Sequence, residues 1–288
     1  MTKGFSTRPL TLGDRDAIET LYQTYGRGDS AHAFPSLFLW QEDMGLSLYL
    51  TGNLYALWSE WKGMWFFPCG SDGAKADFLR RLPPGTGVCY LTEADLAFLD
   101  RTLPGTFTLA EAPGDSEYLY DRQEMIDLPG RRFAKLRNLY RRLEREHDLS
   151  IVPLTGETLP TVAAIAADWK GESTREGGVS GDRATALLLD HWAELGASGV
   201  LLTLDGEPWA AAAGFPLGKD DFDCCFQKAK VNIPGVTEYL RAGLARLAPE
   251  EIRRFNYEED LGLEGLRLMK TRLRPCAMIT MYTGVKTG

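Results

Sequence analysis

An α/β chain built on two mixed sheets is predicted by three observations. Strand-like alternation is interleaved with runs whose apolar residues recur at helical spacing. The order β-α-α-β-β-β-α-β-α-β is read twice along the 288 residues, without residue-level repetition. Turn-forming pairs such as Asp205-Gly206 lie between apolar runs and join them as hairpins. With 44% hydrophobic and 25% charged residues, the chain has the balance of a globular protein and the length for one large or two ordinary domains.

In the first half a short strand near Arg8–Leu10 precedes a helix over Leu12–Tyr25, where Ala17, Ile18, Leu21 and Tyr22 share a face and Asp14 and Asp16 favour the N-terminus. Phe34–Met44 is a short aromatic helix. Strands Leu46–Leu50, Leu54–Ser59 and Met64–Pro68 form a meander, separated by turns at Thr51-Gly52-Asn53 and Lys62-Gly63. Helix Ala74–Leu82, strand Val88–Leu91, helix Glu93–Leu103 and strands Thr106–Ala110 and Glu117–Asp121 follow. Pro113-Gly114 marks the seam, so the expected domains are 1–113 and 114–288. The ten aromatic residues from Phe34 to Phe67 are read as core with a few surface rings.

The second half is entered through a basic helix, 131–147. At 100° per residue, Phe133, Leu136, Leu139, Tyr140 and Leu143 share one arc, while Arg131, Lys135, Arg137, Asn138, Arg141, Arg142 and Arg145 share the other. Arg132 alone falls within the apolar arc, where its stem can snorkel. Seven basic and two acidic residues give this segment +5 in a chain of net −8. Two readings stay open: a solvated face of weak ion pairs, or an anion site, since the planar guanidinium binds phosphate bidentately. Beyond it come strand Leu149–Leu154, helices Thr158–Gly171 and Asp182–Leu195, and a Gly-rich link at Glu176–Gly181. Strands Val200–Leu204, Trp209–Pro216 and Asp221–Lys228 lead to helix Val236–Leu247, strand Ile252–Tyr257, helix Leu263–Thr271 and strand Cys276–Tyr282.

Some chemistries find no pattern. His32, His147 and His191 have no ligand spacing, and Cys69, Cys89, Cys224, Cys225 and Cys276 show no C-x-x-C, so no metal site is expected and the cysteines are read as reduced, buried and inert. MTKGFSTRPL lacks the apolar core of a signal peptide and no run approaches a membrane span, so the expected location is cytoplasmic, with peripheral membrane contact left open.

The element order is the one used by the Gcn5-related N-acetyltransferase fold, whose central strands splay apart to admit an acyl donor. Three stretches make a likeness specific: YLYDRQEMIDLPGRRFAKLRNLYRRLEREH at 118–147, FQKAKVNIPG at 226–235 and NYEEDLGLEGLRLMKTRLRP at 256–275. They resemble a bacterial family related to the C-terminal domain of phosphatidylglycerol lysyltransferases, through Gly130, Arg131, Phe133, Lys135, Arg137 and Asn138, and through Glu259–Gly262, Gly265, Leu266, Arg267, Lys270 and Pro275. The resemblance implies two tandem acetyltransferase-like domains, distantly similar to enzymes that move aminoacyl groups from transfer RNA to lipid or peptidoglycan precursors. The chain departs from the family at Gln227, where a Glu is usual, and in the helix GVTEYLRAG, which lacks the usual aromatic-x-x-Asn.

The expected function is therefore acyl or aminoacyl transfer from a phosphate-rich donor, with a non-catalytic binder of a nucleotide, lipid head group or other anion as the alternative. Glu258, Glu259 and Asp260 stand at a strand-to-helix turn, where carboxylates cap helices, but three exceed what one cap needs and one is free to act as a base. The expected reaction centre is Glu259, Asp260, Lys228 and Lys270, and the expected phosphate-binding set is Lys135, Arg137, Asn138, Arg142 and Arg267. Arg267 and Lys270 share a helix face and meet either phosphate or the neighbouring acids. CoA and aminoacyl-tRNA are both candidate donors and no cofactor is assigned, because neither Ala229–Gly235 nor Cys69–Gly73 is a pyrophosphate-binding turn. The pocket is expected in the second half, with the first half as its support.

Overall fold

The computed structural model describes residues 4–172, 181–230 and 233–287. Its elements run α1 (Arg15–Tyr25), α2 (Phe34–Trp40), β1 (Leu46–Thr51), β2 (Leu54–Ser59), β3 (Met64–Phe66), β4 (Cys69–Gly70), α3 (Asp72–Arg81), β5 (Gly87–Leu91), α4 (Glu93–Thr102) and β6 (Phe107–Glu111). They continue with β7 (Glu117–Asp121), α5 (Arg122–Asp127), α6 (Ala134–Glu146), β8 (Leu149–Pro153), α7 (Leu159–Glu172), α8 (Asp182–Asp190), β9 (Ser198–Leu204), β10 (Glu207–Leu217) and β11 (Asp221–Ala229). The last are α9 (Val236–Leu247), β12 (Arg254–Glu259), α10 (Glu264–Arg272), β13 (Ala277–Ile279) and β14 (Tyr282–Lys286).

Two seven-stranded sheets result. One has the order β1-β2-β3-β5-β14-β6 with β4 beside β2, and the other the order β13-β7-β12-β11-β10-β9-β8. Parallel pairing of β3 with β5 and of β11 with β12 among antiparallel neighbours makes both sheets mixed. This is the expected α/β class with two mixed sheets. The compact units interleave along the chain: the first is 1–118 with 258–272 and 278–288, the second 119–257 with 273–277. A single cut at residue 113 therefore differs from the contact-based units. The physical reason for the last segment is backbone pairing, since β14 hydrogen-bonds between β5 and β6.

In the first unit, Trp65, Phe67, Phe78, Leu79, Val88, Leu91 and Phe98 form a core against which Tyr49 and Trp58 pack. The aromatic stretch is mostly core, as expected, with Trp61 left 54% exposed. Thr92 and Asp95 close a capping box that starts α4: Asp95 accepts from the Thr92 N–H at 3.0 Å and from its hydroxyl at 2.8 Å. A buried His32 donates from both ring nitrogens, to Asp29 at 2.6 Å and to the Phe67 carbonyl at 2.8 Å. Burial opposes its charge, but the Asp29 carboxylate outweighs that and holds the imidazole protonated, with its pKa raised to about 9.

Four readings of the chain are corrected. α2 stops at Trp40, and α8 stops at Asp190, where turns take over. The final strand is two strands, β13 and β14. Helix α5, unforeseen, starts at Asp121, whose side chain accepts the Glu124 N–H at 2.9 Å, and ends where Leu128 turns left-handed at φ 49°. Lastly, Cys69, Cys89 and Cys224 are buried as expected, but Cys225 is half-buried and Cys276 exposed. Burial pushes the Cys69 thiol up to about 12, which keeps it a poor nucleophile. The Gly-rich link at 176–181 lies outside the described residues except for Gly181.

Candidate functional site

The basic helix of the second unit lies on α9. Its apolar arc does what the sequence requires: Phe133 and Tyr140 cluster with Leu128 and Ala242, flanked by Leu136 and Tyr239. Tyr140 donates to the Glu238 carbonyl, and its ring meets Tyr239 edge-on at 5.0 Å. Gly235, which opens α9 at φ 95°, sits so close that an added Cβ would meet Leu139 Cβ at 3.0 Å. A side chain there would be strained twice over, by conformation and by contact.

The cationic arc is not uniform. Arg137 turns inward, its Nη1 donating to the carbonyl of Leu128 and, at 2.7 Å, to that of Gly130, so it fastens the left-handed loop before the helix. Arg142 pairs with Glu146 at 3.0 Å, four residues on, and Arg132 pairs with Glu124. Lys135 and Asn138 face solvent. Of the expected phosphate-binding set, Lys135, Asn138 and Arg142 thus share the exposed arc, while Arg137 has donors committed to the backbone.

Behind this helix the sheet opens. β11 and β12 pair in parallel only over Asp221–Asp223 and Arg254–Asn256, although β11 continues to Ala229 and β12 to Glu259. Beyond that point β11 pairs with β10, through Ala210↔Ala229, Ala211↔Lys228 and Ala212↔Gln227. The run of four alanines, Ala210–Ala213, keeps this part of the sheet thin. Lys228 is half-buried on the same stretch.

Arg241 of α9 spans the opening. It is 5% exposed, its Nε donates to Gln227 Oε1 on β11 at 2.8 Å, and its guanidinium lies 3.8 Å from the ring centre of Tyr257 on β12 and 5.7 Å from that of Tyr120 on β7. Such stacking suits a weakly hydrated planar cation. Yet Nη1 is buried with no hydrogen-bond partner, and among the described residues no carboxylate pairs with this arginine. A partly open cleft lies beside it, walled by Met125, Leu128, Phe133, Leu136 and Tyr140. Sequence reasoning missed Arg241 because an arginine in the middle of an amphipathic helix reads as surface. The one available signal was its place among Leu240, Ala242, Leu244 and Ala245, all of which are buried.

The acidic turn belongs to the first unit. Asp260 is fully buried and accepts from Tyr118 Oη at 2.7 Å, from the Gly262 N–H at 2.8 Å and from Arg267 at 2.8 and 3.2 Å. Burial alone would raise its pKa, but these donors together hold it below the usual range. Lys270 donates to the carbonyls of Glu258 at 3.0 Å and Glu259 at 2.5 Å. Arg267 and Lys270 thus both turn back onto the turn, which is bent at Glu258 (φ 56°) and Leu261 (φ 54°). The part-buried carboxylates of Glu258 and Glu259 are raised, first by burial: Glu258 reaches about 8 with Glu259 adding to the effect, and Lys270 opposes both. The structure therefore gathers Glu259, Asp260, Arg267 and Lys270 in one constellation, in which burial holds the Glu259 carboxyl above the usual carboxylate range. Among the described residues no group of three His, Cys, Asp or Glu side chains is placed to hold a metal, and no helix is long and apolar enough to cross a membrane.

No curated protein matches this sequence. Solved structures do. A conserved protein of unknown function from Bacteroides thetaiotaomicron superposes with a TM-score of 0.87 at 23% identity, covering 98% of this chain and 100% of its own. L-PGS from Bacillus licheniformis gives 0.68 at 16% identity, over 96% of this chain and 92% of its own. The C-terminal domain of a putative lysylphosphatidylglycerol synthetase from Agrobacterium fabrum gives 0.66 at 15% identity, over the same 96% and 92%. At these identities the likeness is one of fold. Family membership rests on the sequence itself: residues 22–283 match the family described as phosphatidylglycerol lysyltransferase, C-terminal, and the chain belongs to it.

Proposed function

We propose that this protein transfers an acyl or aminoacyl group from aminoacyl-tRNA or another phosphate-rich donor. The observation that carries the reading is that β11 and β12 pair over only three residues, so that an acyl group can lie between the strands beyond them. Family and fold support transfer chemistry at this coarse level. In such a reaction an amine or hydroxyl of the acceptor attacks the acyl carbonyl, the bond to the donor oxygen or sulfur breaks, and a base takes the acceptor's proton. Within the first unit, Glu259 is the carboxylate of the acidic turn that we assign to proton transfer, since Asp260 and Lys270 are occupied in fixing the turn. Lys135 and Arg142 present the exposed cationic arc to donor phosphate. With transfer RNA as donor, affinity falls steeply with salt, because each neutralised phosphate releases counterions.

A second reading, a non-catalytic binding protein, is favoured by one observation. Gln227, at the opening, is an amide tied to Arg241 and exchanges no proton near neutral pH. The test begins with thermal stabilisation of the full chain by CoA, acyl-CoAs, aminoacyl-adenylate analogues and short RNA, because a ligand that prefers the folded state raises its stability. Turnover of the stabilising donor with amine and hydroxyl acceptors then decides. Lys135→Ala with Arg142→Ala is expected to weaken donor binding while changing stability by less than about 1 kcal/mol, since both side chains are exposed and Arg142 has one helical ion pair. Stabilisation without turnover across acceptors selects the second reading, and salt-independent binding rejects transfer RNA.

A further inference from the structure

Arg241 carries more than the transfer reading uses. A guanidinium removed from water normally has a carboxylate and a full set of acceptors, because leaving a buried donor unpaired is costly and a charged one more so. Here the partners are one amide oxygen and two aromatic rings, and among the described residues Nη1 has no acceptor. Both the charge and the hydrogen bond are therefore incomplete on the same side chain. That side chain lines the cleft, whose remaining walls are chiefly apolar.

The charge pattern of the lining narrows the choice. Asp121, Glu124 and Glu238 line the cleft with Arg241 and Arg274, so the lining bears three carboxylates against two guanidinium groups. Glu124 is paired with Arg132 and Asp121 caps α5, but neither pairs with Arg241. A dianion would meet these acids, whereas a single negative charge matches the single unfilled edge of Arg241. Met125, Leu128, Phe133, Leu136 and Tyr140 then need an apolar body to cover them.

The geometry points to a binding site, in the cleft of the second unit, for a monocarboxylate with an apolar tail: the carboxylate accepts from Arg241 Nη1, and the tail lies along Phe133, Leu136 and Tyr140. The site is independent of transfer chemistry. Its occupancy is measured with no acyl donor present, so its failure and that of the transfer reading are separate results.

The test is isothermal titration of the full chain with octanoate, 1-octanol and octyl phosphate, each below its aggregation concentration. Octanoate is expected to bind saturably, one per chain, and at least tenfold more tightly than the other two. Gln227→Glu supplies an internal carboxylate 2.8 Å from Arg241 Nε, and it is expected to cut octanoate affinity at least tenfold with an unchanged or raised melting temperature. Arg241→Met is expected to level octanoate with octanol. If that variant fails to fold, the nearly isosteric Gln227→Glu decides alone. The proposal is overturned by any of four results: no saturable octanoate binding, octanol equal to octanoate in the wild type, octyl phosphate tighter than octanoate, or a Gln227→Glu variant that binds octanoate as the wild type does.

Discussion

Replacing Asp260 by Asn separates a residue that holds the acidic turn from one that reacts. The substitution keeps the shape but removes the charge, and it sets an amide N–H₂ where an acceptor oxygen had been. Tyr118 and Arg267 Nε share Oδ2 while the Gly262 N–H and Arg267 Nη2 share Oδ1, so whichever way the amide turns two donors lose their acceptor. A hydrogen bond to a charged group contributes about 1.5–3 kcal/mol. The Arg267 pair adds about 0–1 kcal/mol, because that side chain is 46% exposed and screened by solvent. The expected loss is about 3 kcal/mol, or a fall in melting temperature of roughly 6–12 °C for a unit of this size. Far-UV circular dichroism on heating, and urea titration at 25 °C, measure it. The sign of the pH dependence is a further check. Asp260 titrates below its ordinary value in the folded state, so the wild-type advantage is present above about pH 4 and is lost as pH falls through the folded value. A variant that melts within about 1 °C of the wild type, yet loses turnover or donor binding, would refute the structural role and return Asp260 to the reaction.

Three further outcomes follow from the same structure. His32, held protonated between Asp29 and the Phe67 carbonyl with a pKa raised to about 9, contributes stability that is complete below its ordinary pKa near 6.5 and lost as pH rises through 9. The urea stability of wild type relative to His32→Gln should fall by up to about 3 kcal/mol between those limits, and a constant difference across them contradicts the assignment. Gly214→Ala is expected to cost more than about 3 kcal/mol or to abolish folding, because the added Cβ would lie 1.6 Å from the Asp223 carbonyl oxygen at the irregularity between β10 and β11. Gly265→Ala, in α10 with open space around it, should gain about 0.5–1 kcal/mol in the same melting assay.

What the chain revealed was local. Helix α9 has the bounds read from its periodicity, Val236–Leu247, and the hairpin at Asp205-Gly206 forms with both residues at positive φ, 53° and 83°. The apolar arc of α6 was legible for the same reason, as the 3.6-residue period names the buried face without naming its partner. The sites depended on partners far along the chain. Arg241 meets Gln227, Tyr120 and Tyr257, and nothing in GVTEYLRAG distinguishes it from an exposed arginine. Asp260 is filled by Tyr118, 142 positions away, which no spacing rule exposes. Arg137 was grouped with the ridge because helical angle alone cannot show that two loop carbonyls stand within its reach.

The placement of β14 between β5 and β6 ties closure of the first sheet to the end of synthesis. Its neighbours are complete by residue 111, but the strand that joins them is residues 282–286. At a ribosomal rate of about 5–20 residues per second, β5 and β6 wait roughly 10–35 s for it. During that interval each presents an unpaired edge, the feature that invites strand addition by another chain. Nascent chains of this protein should therefore be longest-lived clients of chaperones through their earliest-made sheet, and a stop codon a few residues before Tyr282 would strand that sheet in two pieces.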